Sequence, residues 1–242
     1  MRFEFRAQNL ISQIYNLISY HMKYYAIIVA GGSGNRMQTE TPKQFLLLKN
    51  LPVLMHTIKA FAQSDSQPKI LLVLNKEQQG YWKRLCEEFN FRIPHEVIDG
   101  GSERFYSVKN ALETINEESI VAIHDAVRPL VSKELIDNCF KSAEMQGNVI
   151  AAVQSSDSVR MLRDDKTSAL KRDEIYLVQT PQTFGSEILK EAYQQDYSIH
   201  FTDDASVVES IGYEINIVEG ERNNIKITYP IDLELAELLL KK

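Results

Sequence analysis

The amino-acid sequence predicts an α/β fold: a doubly wound, mainly parallel sheet with helices on both faces and one protruding β-arm. Three observations lead there. From Tyr24 onward, short runs rich in β-branched residues alternate with amphipathic helical stretches, the pattern of strands joined by crossover helices. The strand-like runs are almost continuously apolar, as strands buried on both faces must be. One polar stretch, 154–175, interrupts the rhythm.

Strands are predicted over 25–30, 70–74, 95–98, 120–124, 149–153 and 215–218. Helices are predicted over 53–62, 78–89, 106–112, 133–145, 186–193, 204–211 and 231–240. Thr202 is the expected N-cap of the helix that follows it, and Pro230 suits the first turn of the last one. Within 154–175, alternating pieces such as 158–162 flank Asp164 and Asp165 and read as a hairpin. No repeat, low-complexity tract or flexible linker divides the chain, so 154–175 reads as an arm of one domain spanning 22–242. Residues 1–21 stand apart: Ile11, Ile14, Tyr15 and Ile18 recur at helical spacing, while Ser12, Gln13 and Asn16 break any signal-peptide core. Met22 directly precedes the first strand, so 1–21 is expected to be an upstream extension. A native mass spectrum retaining Met1 would overturn that.

With 44% hydrophobic and 25% charged residues over 242 positions, the chain can bury a substantial core. A net charge of -6 argues against a broad basic surface for nucleic acid. No apolar run approaches the roughly 20 residues needed to cross a bilayer, so no membrane partner is expected. Cys86 and Cys139 sit in helical stretches without a CxxC pairing, as buried thiols of a cytoplasmic protein would.

Candidate chemistry begins after the first strand, with Ala30, Gly31, Gly32, Ser33, Gly34, Asn35, Arg36 and Met37, then Pro42, Lys43 and Gln44. Without Cβ atoms such a backbone can turn its N–H groups onto phosphate oxygens. Arg36 and Lys43 add positive charge nearby. Met37 stands where a dinucleotide fingerprint needs its third glycine, and no Gly-Lys-Ser/Thr closes a Walker loop. A second turn, Gly100, Gly101, Ser102, Glu103 and Arg104, lies between a strand and a helix, with Ser107 and Asn110 beyond. Its small residues leave room for a flat base that Gly101 and Ser107 could contact. A plain turn with Ser102 as cap and Arg104 exposed fits the same residues.

His124, Asp125, Ala126, Val127, Arg128 and Pro129 close the fourth apolar run. In open α/β sheets ligands gather outside the carboxyl ends of strands, so Asp125 is placed to hold Mg²⁺ against a nucleotide triphosphate. A turn cap paired with Arg128 is the alternative. His124 is expected to pack or to orient its neighbour, since no second His or Cys lies at ligand spacing. Two polar islands follow: Gln179 to Phe184, preceded by Arg172, and Asn223 to Thr228. On a strand, Lys226 would point away from Ile225 and Ile227 and into a cleft, or lie on a solvated edge.

Taken in order, the glycine loop with Arg-Met, Pro-Lys-Gln-Phe, Gly-Gly-Ser-Glu-Arg, His-Asp-Ala-Val-Arg-Pro, Gln-Thr-Pro-Gln-Thr-Phe and Asn-Ile-Lys-Ile-Thr resemble the methylerythritol phosphate cytidylyltransferase family over residues 24–240. The resemblance implies a nucleotide-diphospho-sugar transferase-like fold, Mg²⁺ as cofactor, and transfer of CMP from CTP to 2-C-methyl-D-erythritol 4-phosphate. The products would be pyrophosphate and 4-diphosphocytidyl-2-C-methyl-D-erythritol, an isoprenoid precursor. It also implies a cytoplasmic homodimer whose arm reaches over the partner's site. By matching position, Ala30, Gly31, Gly32 and Gly34 would hold the nucleotide, and Arg36 and Lys43 would neutralise its phosphates. Gly101, Ser102 and Ser107 would face cytosine, and Asp125 would hold the metal. Arg172 and Lys226 would position the acceptor phosphate, with Arg128, Ser158 and Thr180 near the acceptor. Ser158 and Ser102 depart from the family's frequent Thr and Asp.

A related enzyme acting on a pentitol phosphate such as ribitol 5-phosphate shares the nucleotide motifs, but the interval between Met37 and Pro42 suits the methylerythritol group better. A nicotinamide oxidoreductase lacks support without the third glycine and an acid closing the second strand. A catalytically silent module is disfavoured by Arg36, Lys43, Asp125 and Lys226.

Overall fold

The computed structural model describes residues 23–31 and 41–240. In chain order the strands are β1 (Lys23–Val29), β2 (Leu47–Leu48), β3 (Leu51–Pro52), β4 (Lys69–Leu74), β5 (Glu96–Asp99), β6 (Ser119–Asp125), β7 (Val149–Gln154), β8 (Arg160–Arg163), β9 (Lys166–Ala169), β10 (Tyr176–Gly185) and β11 (Asn216–Glu219). The helices are α1 (Val53–Ala62), α2 (Lys76–Glu88), α3 (Arg104–Leu112), α4 (Lys133–Gln146), α5 (Ser186–Ala192), α6 (Asp204–Glu209) and α7 (Pro230–Leu239). The six strands and seven helices predicted by range are present, with ends shifted by a residue or two. The expected upstream extension, 1–21, lies outside the described residues.

Seven strands form the central sheet in the order β11-β7-β10-β6-β1-β4-β5. All neighbours pair in parallel except at β10, which runs antiparallel to both β6 and β7. Side chains alternate across the sheet, so Ala26 and Ile28 of β1 join the core with α1, α2 and α4, while Tyr25 and Ile27 join the opposite core with α3, α5 and α6. That two-sided burial explains the apolar runs. After β1 the chain crosses to β4 and β5 on one side, then returns to place β6 on the other side of β1. The crevice at the carboxyl ends of β1 and β6 is therefore the switch point where ligands bind in such sheets.

β10 corrects the expected polar island at 179–184. Pro181 and the Gln and Thr residues hide a strand that is nonetheless buried from Gln179 to Phe184. Its polar groups are tolerated because most find partners: Gln182 Oε1 accepts from the N–H groups of Asp204 and Ala205 at 2.9 and 3.0 Å. Its pairing with β7 shifts register between Val178 and Gln182, which frees Gln179 to Pro181 from that ladder and re-aims them, as bulges do.

The arm is a hairpin of exposed strands β8 and β9. Asp164 and Asp165 turn it with φ of 49° and 59°, the left-handed conformation that two-residue hairpin turns require and Asp tolerates. Two further expectations change. The N-cap of α6 is Asp203, whose carboxylate accepts from Ser206 N–H at 2.9 Å, one position after Thr202. Residues 225–228 form a connection without regular secondary structure and no strand. Ile227 is fully buried with Leu48, Val53, Val127 and Ala236, and its N–H donates to Val127 O at 2.9 Å.

Candidate active site

A cavity of about 540 Å³ opens at the switch point, walled by the ends of β1, β4 and β6, the start of α3, and the connection before α7. Ala30, Gly31, Lys43, Gly101, Ser102, Ser107, Asp125 and Lys226 all line it, so residues almost 200 positions apart meet as the motifs require. Gly32, Gly34 and Arg36 lie outside the described residues.

One wall can take a planar base. Ser107, in the first turn of α3, accepts from Gly101 N–H at 3.0 Å and keeps its hydroxyl proton for a ligand. Gly101 has no room for a side chain, because a Cβ there would lie 2.3 Å from Tyr106 Cβ. Asn75 sits between the two glycine turns and donates to Gly31 O at 3.2 Å. The opposite end carries charge. Lys43, on a single 3-10 turn, donates to Ile227 O at 3.2 Å. Gln44 ties that turn to the end of β1 through Ala30 O at 2.9 Å.

Asp125 is the centre of the site's electrostatics. Lys226 Nζ lies 3.0 Å from its Oδ2, Arg128 Nε 3.4 Å from the same oxygen, and Arg104 Nε 4.0 Å from Oδ1. Burial alone would raise its pKa, but Lys226, Arg104 and Arg128 outweigh that and hold the carboxyl well below the usual carboxylate range. It is ionised at any working pH. Arg128 reaches on to Asn224 O at 2.7 Å, tying the Asp125 loop to the segment that carries Lys226. Both readings of Asp125 survive: it pairs with Arg128, and it faces the cavity.

Arg104 is not a plain exposed turn residue. Its two terminal nitrogens each lie 2.6 Å from an oxygen of Asp204, which is fully buried and also accepts from Tyr193 Oη at 2.6 Å. Burial would lower the guanidinium pKa; Asp204 more than reverses this. Arg104 thus presents a fixed positive charge to the cavity from a locked geometry.

Sequence reasoning missed Asn75 and Asp204, and named Gln44 in its motif without a role. Asn75 had a legible signal, since it closes the β4 run at the carboxyl end as Asp125 closes β6. Asp204 had none beyond its place at a helix start, because its partner lies 100 positions away. Thr180 stands behind the cavity, accepting from Asp125 N–H at 3.1 Å. Ser158 and Arg172 are not brought to the cavity: Ser158 lies exposed before β8, and Arg172, 54% exposed, contacts Asp173 at 3.8 Å.

Among the described residues no group of three or more His, Cys, Asp or Glu forms a ready metal cage. The ionised Asp125 carboxylate facing a roomy cavity is still a fitting donor for Mg²⁺, which takes one or two carboxylates and completes its shell with phosphate oxygens and water.

Known proteins match this architecture. The family model for 2-C-methyl-D-erythritol 4-phosphate cytidylyltransferase matches residues 24–242. Enzymes of that name from Phocaeicola vulgatus and Azobacteroides pseudotrichonymphae are 49% and 51% identical over 219 and 217 residues, covering 90% and 89% of this chain and 100% and 98% of theirs. The crystal structure of 4-diphosphocytidyl-2C-methyl-D-erythritol synthase from Anaerococcus prevotii superposes with a TM-score of 0.78 at 28% identity, covering 91% of this chain and 97% of that one. The chain belongs to the 2-C-methyl-D-erythritol 4-phosphate cytidylyltransferase family.

Proposed function

We propose that the switch-point cavity performs the family's transfer of CMP from CTP to 2-C-methyl-D-erythritol 4-phosphate, with Mg²⁺ held at Asp125 and the acceptor phosphate beside Lys226. The observation that carries this is that Arg104, Arg128 and Lys226 surround the ionised Asp125 carboxylate while Lys43 lines the same cavity, beside a glycine turn able to take a base. An oxygen of the acceptor phosphate attacks the α-phosphorus of CTP in line. The new P–O bond forms as the bond to the β-phosphate breaks, and its electron pair leaves with pyrophosphate. The nucleophile is already anionic and needs little or no general base, so the barrier is the approach of like charges. Lys43 meets the triphosphate, Lys226 holds the acceptor phosphate, and Arg104 supplies a fixed charge that costs no reorganisation. When bound, Mg²⁺ would supply further neutralisation of the phosphate oxygens. The free thiols Cys86 and Cys139 suit the reducing cytoplasm.

Arg172 enters through assembly. Its exposure on the arm and its distance from the cavity lining support a homodimer in which each arm completes the partner's acceptor subsite. Exposed Met161, Leu162, Tyr176 and Leu177 at the arm and its base offer apolar surface for that contact. Mixing inactive Arg172→Ala and Lys226→Ala proteins under exchange should restore activity, because some hybrid sites hold both cations; no recovery would reject trans donation. The relatives named above are methylerythritol phosphate enzymes, and none is a pentitol phosphate enzyme. Mass spectrometry of products formed from CTP and Mg²⁺ with each acceptor tests the assignment, and a strong preference for ribitol 5-phosphate would refute it.

A further inference from the structure

His124 is fully buried beside the site and lies edge-on to Phe61, with ring centroids 4.9 Å apart. An apolar ring would fill that place without a polar group to satisfy, so its two nitrogens call for an explanation. Both bond to residues beside the active site. Nε2 is 3.2 Å from Arg128 O and Nδ1 is 3.0 Å from Thr180 Oγ1. A carbonyl only accepts, so Nε2 carries the proton and Nδ1 accepts from the Thr180 hydroxyl. With its proton committed, Thr180 Oγ1 accepts from Asp125 N–H at 3.1 Å. One proton arrangement satisfies every member: Asp125 N–H to Thr180, Thr180 O–H to His124, His124 N–H to Arg128.

We infer that His124 is a positioning residue, its ring setting the geometry of the loop from Asp125 to Arg128 so that the carboxylate is presented to the cavity with Arg128 held against it. Two further bonds close the frame: Thr57 Oγ1 donates to Ala126 O at 2.8 Å, and Asn224 Nδ2 donates to Thr180 O at 2.8 Å. The relay changes the part expected of Thr180. Its hydroxyl proton belongs to His124, so it acts on the acceptor through the placement of Asp125.

The inference rests on Asp125 being the metal-bearing carboxylate, and the test separates the two. His124→Phe keeps the ring against Phe61 and removes both nitrogens; Thr180→Val keeps the branched shape and removes the hydroxyl. Each is expected to lower kcat/KM about 10- to 100-fold and to raise the Mg²⁺ concentration for half-maximal rate several-fold, the scale seen when an outer partner of a metal ligand is lost. The double variant should fall no further than the worse single one, because one relay is cut in either place. Hydrogen exchange at the Asp125 amide, read without metal or nucleotide, should be protected in the unmutated protein and about tenfold faster or more in each variant. Unmutated Mg²⁺ dependence and exchange in His124→Phe, or losses that multiply in the double variant, would overturn the inference. Should His124→Phe fail to fold, Thr180→Val decides alone, and unmutated behaviour there is equally fatal. An unmutated protein inactive on CTP but with the exchange pattern intact would refute the catalytic reading and leave the relay standing.

Discussion

Replacing Asp204 with Asn tests whether the cavity's fixed charge is set from the buried side of the site. Asp204 is fully buried and takes both terminal nitrogens of Arg104 at 2.6 Å. Asn keeps one acceptor and turns a donor toward the other nitrogen, so one charge-assisted bond is lost and two donors face each other. Breaking a buried pair by removing one partner costs roughly 3–5 kcal/mol. Here the lower end, about 3 kcal/mol, applies: the Arg104 side chain is 32% exposed and recovers some hydration, and Tyr193 Oη still has an acceptor. For a domain of this size each kcal/mol shifts Tm by about 2–4 °C, so Asp204→Asn should melt about 6–12 °C lower by circular dichroism. Below that melt, kcat/KM should also fall about tenfold, because a released guanidinium no longer holds its place. A melt within about 2 °C of the unmutated protein would refute the reasoning.

Lys43→Ala should lower turnover about a hundredfold in a pyrophosphate-release assay while leaving the melt nearly unchanged, since it deletes one preorganised cation; near-normal turnover would end its proposed role. Gly101→Ala puts a Cβ 2.3 Å from Tyr106 Cβ and 2.9 Å from the carbonyl carbon of Tyr106, so the turn must open away from Ser107. Calorimetry should then show CTP binding about tenfold weaker, within the roughly 1–3 kcal/mol that overpacking costs. Burial pushes His124 down to about 4, whereas the unfolded chain titrates near the ordinary value of about 6.5. Between those values the unfolded state binds the extra proton, so stability falls as pH drops. Urea denaturation should find the protein about 2 kcal/mol less stable at pH 5 than at pH 7.5 through this group, and His124→Phe should lack that part of the slope. Parallel pH profiles for the two proteins would contradict the assignment.

Much of the molecule is legible in its sequence. Strands buried on both faces need unbroken apolar runs, and helices on a sheet need a one-sided pattern, so β1, β4, β6 and β7 announced themselves along with α1, α2 and α4. The glycine turns and Asp125 were legible because strand ends in such sheets are where ligands collect. What failed was whatever depended on a distant partner. β10 looked polar because its Gln and Thr side chains are buried against groups from α6 and β6, which local sequence does not display. Ile225 and Ile227 flank Lys226 as they would on a strand, yet its direction comes from Ile227 sinking into the small core under α7.

The local sequence by itself determined most of the strands and helices and which turns close the strands at the cavity, because period and glycine placement are properties of neighbours along the chain. Tertiary structure alone decided that Arg104 is locked by Asp204, that Thr180 answers to His124, and that Arg172 stays outside the cavity of its own chain. Those outcomes depend on distances between residues far apart in sequence, and burial sets what each such contact is worth.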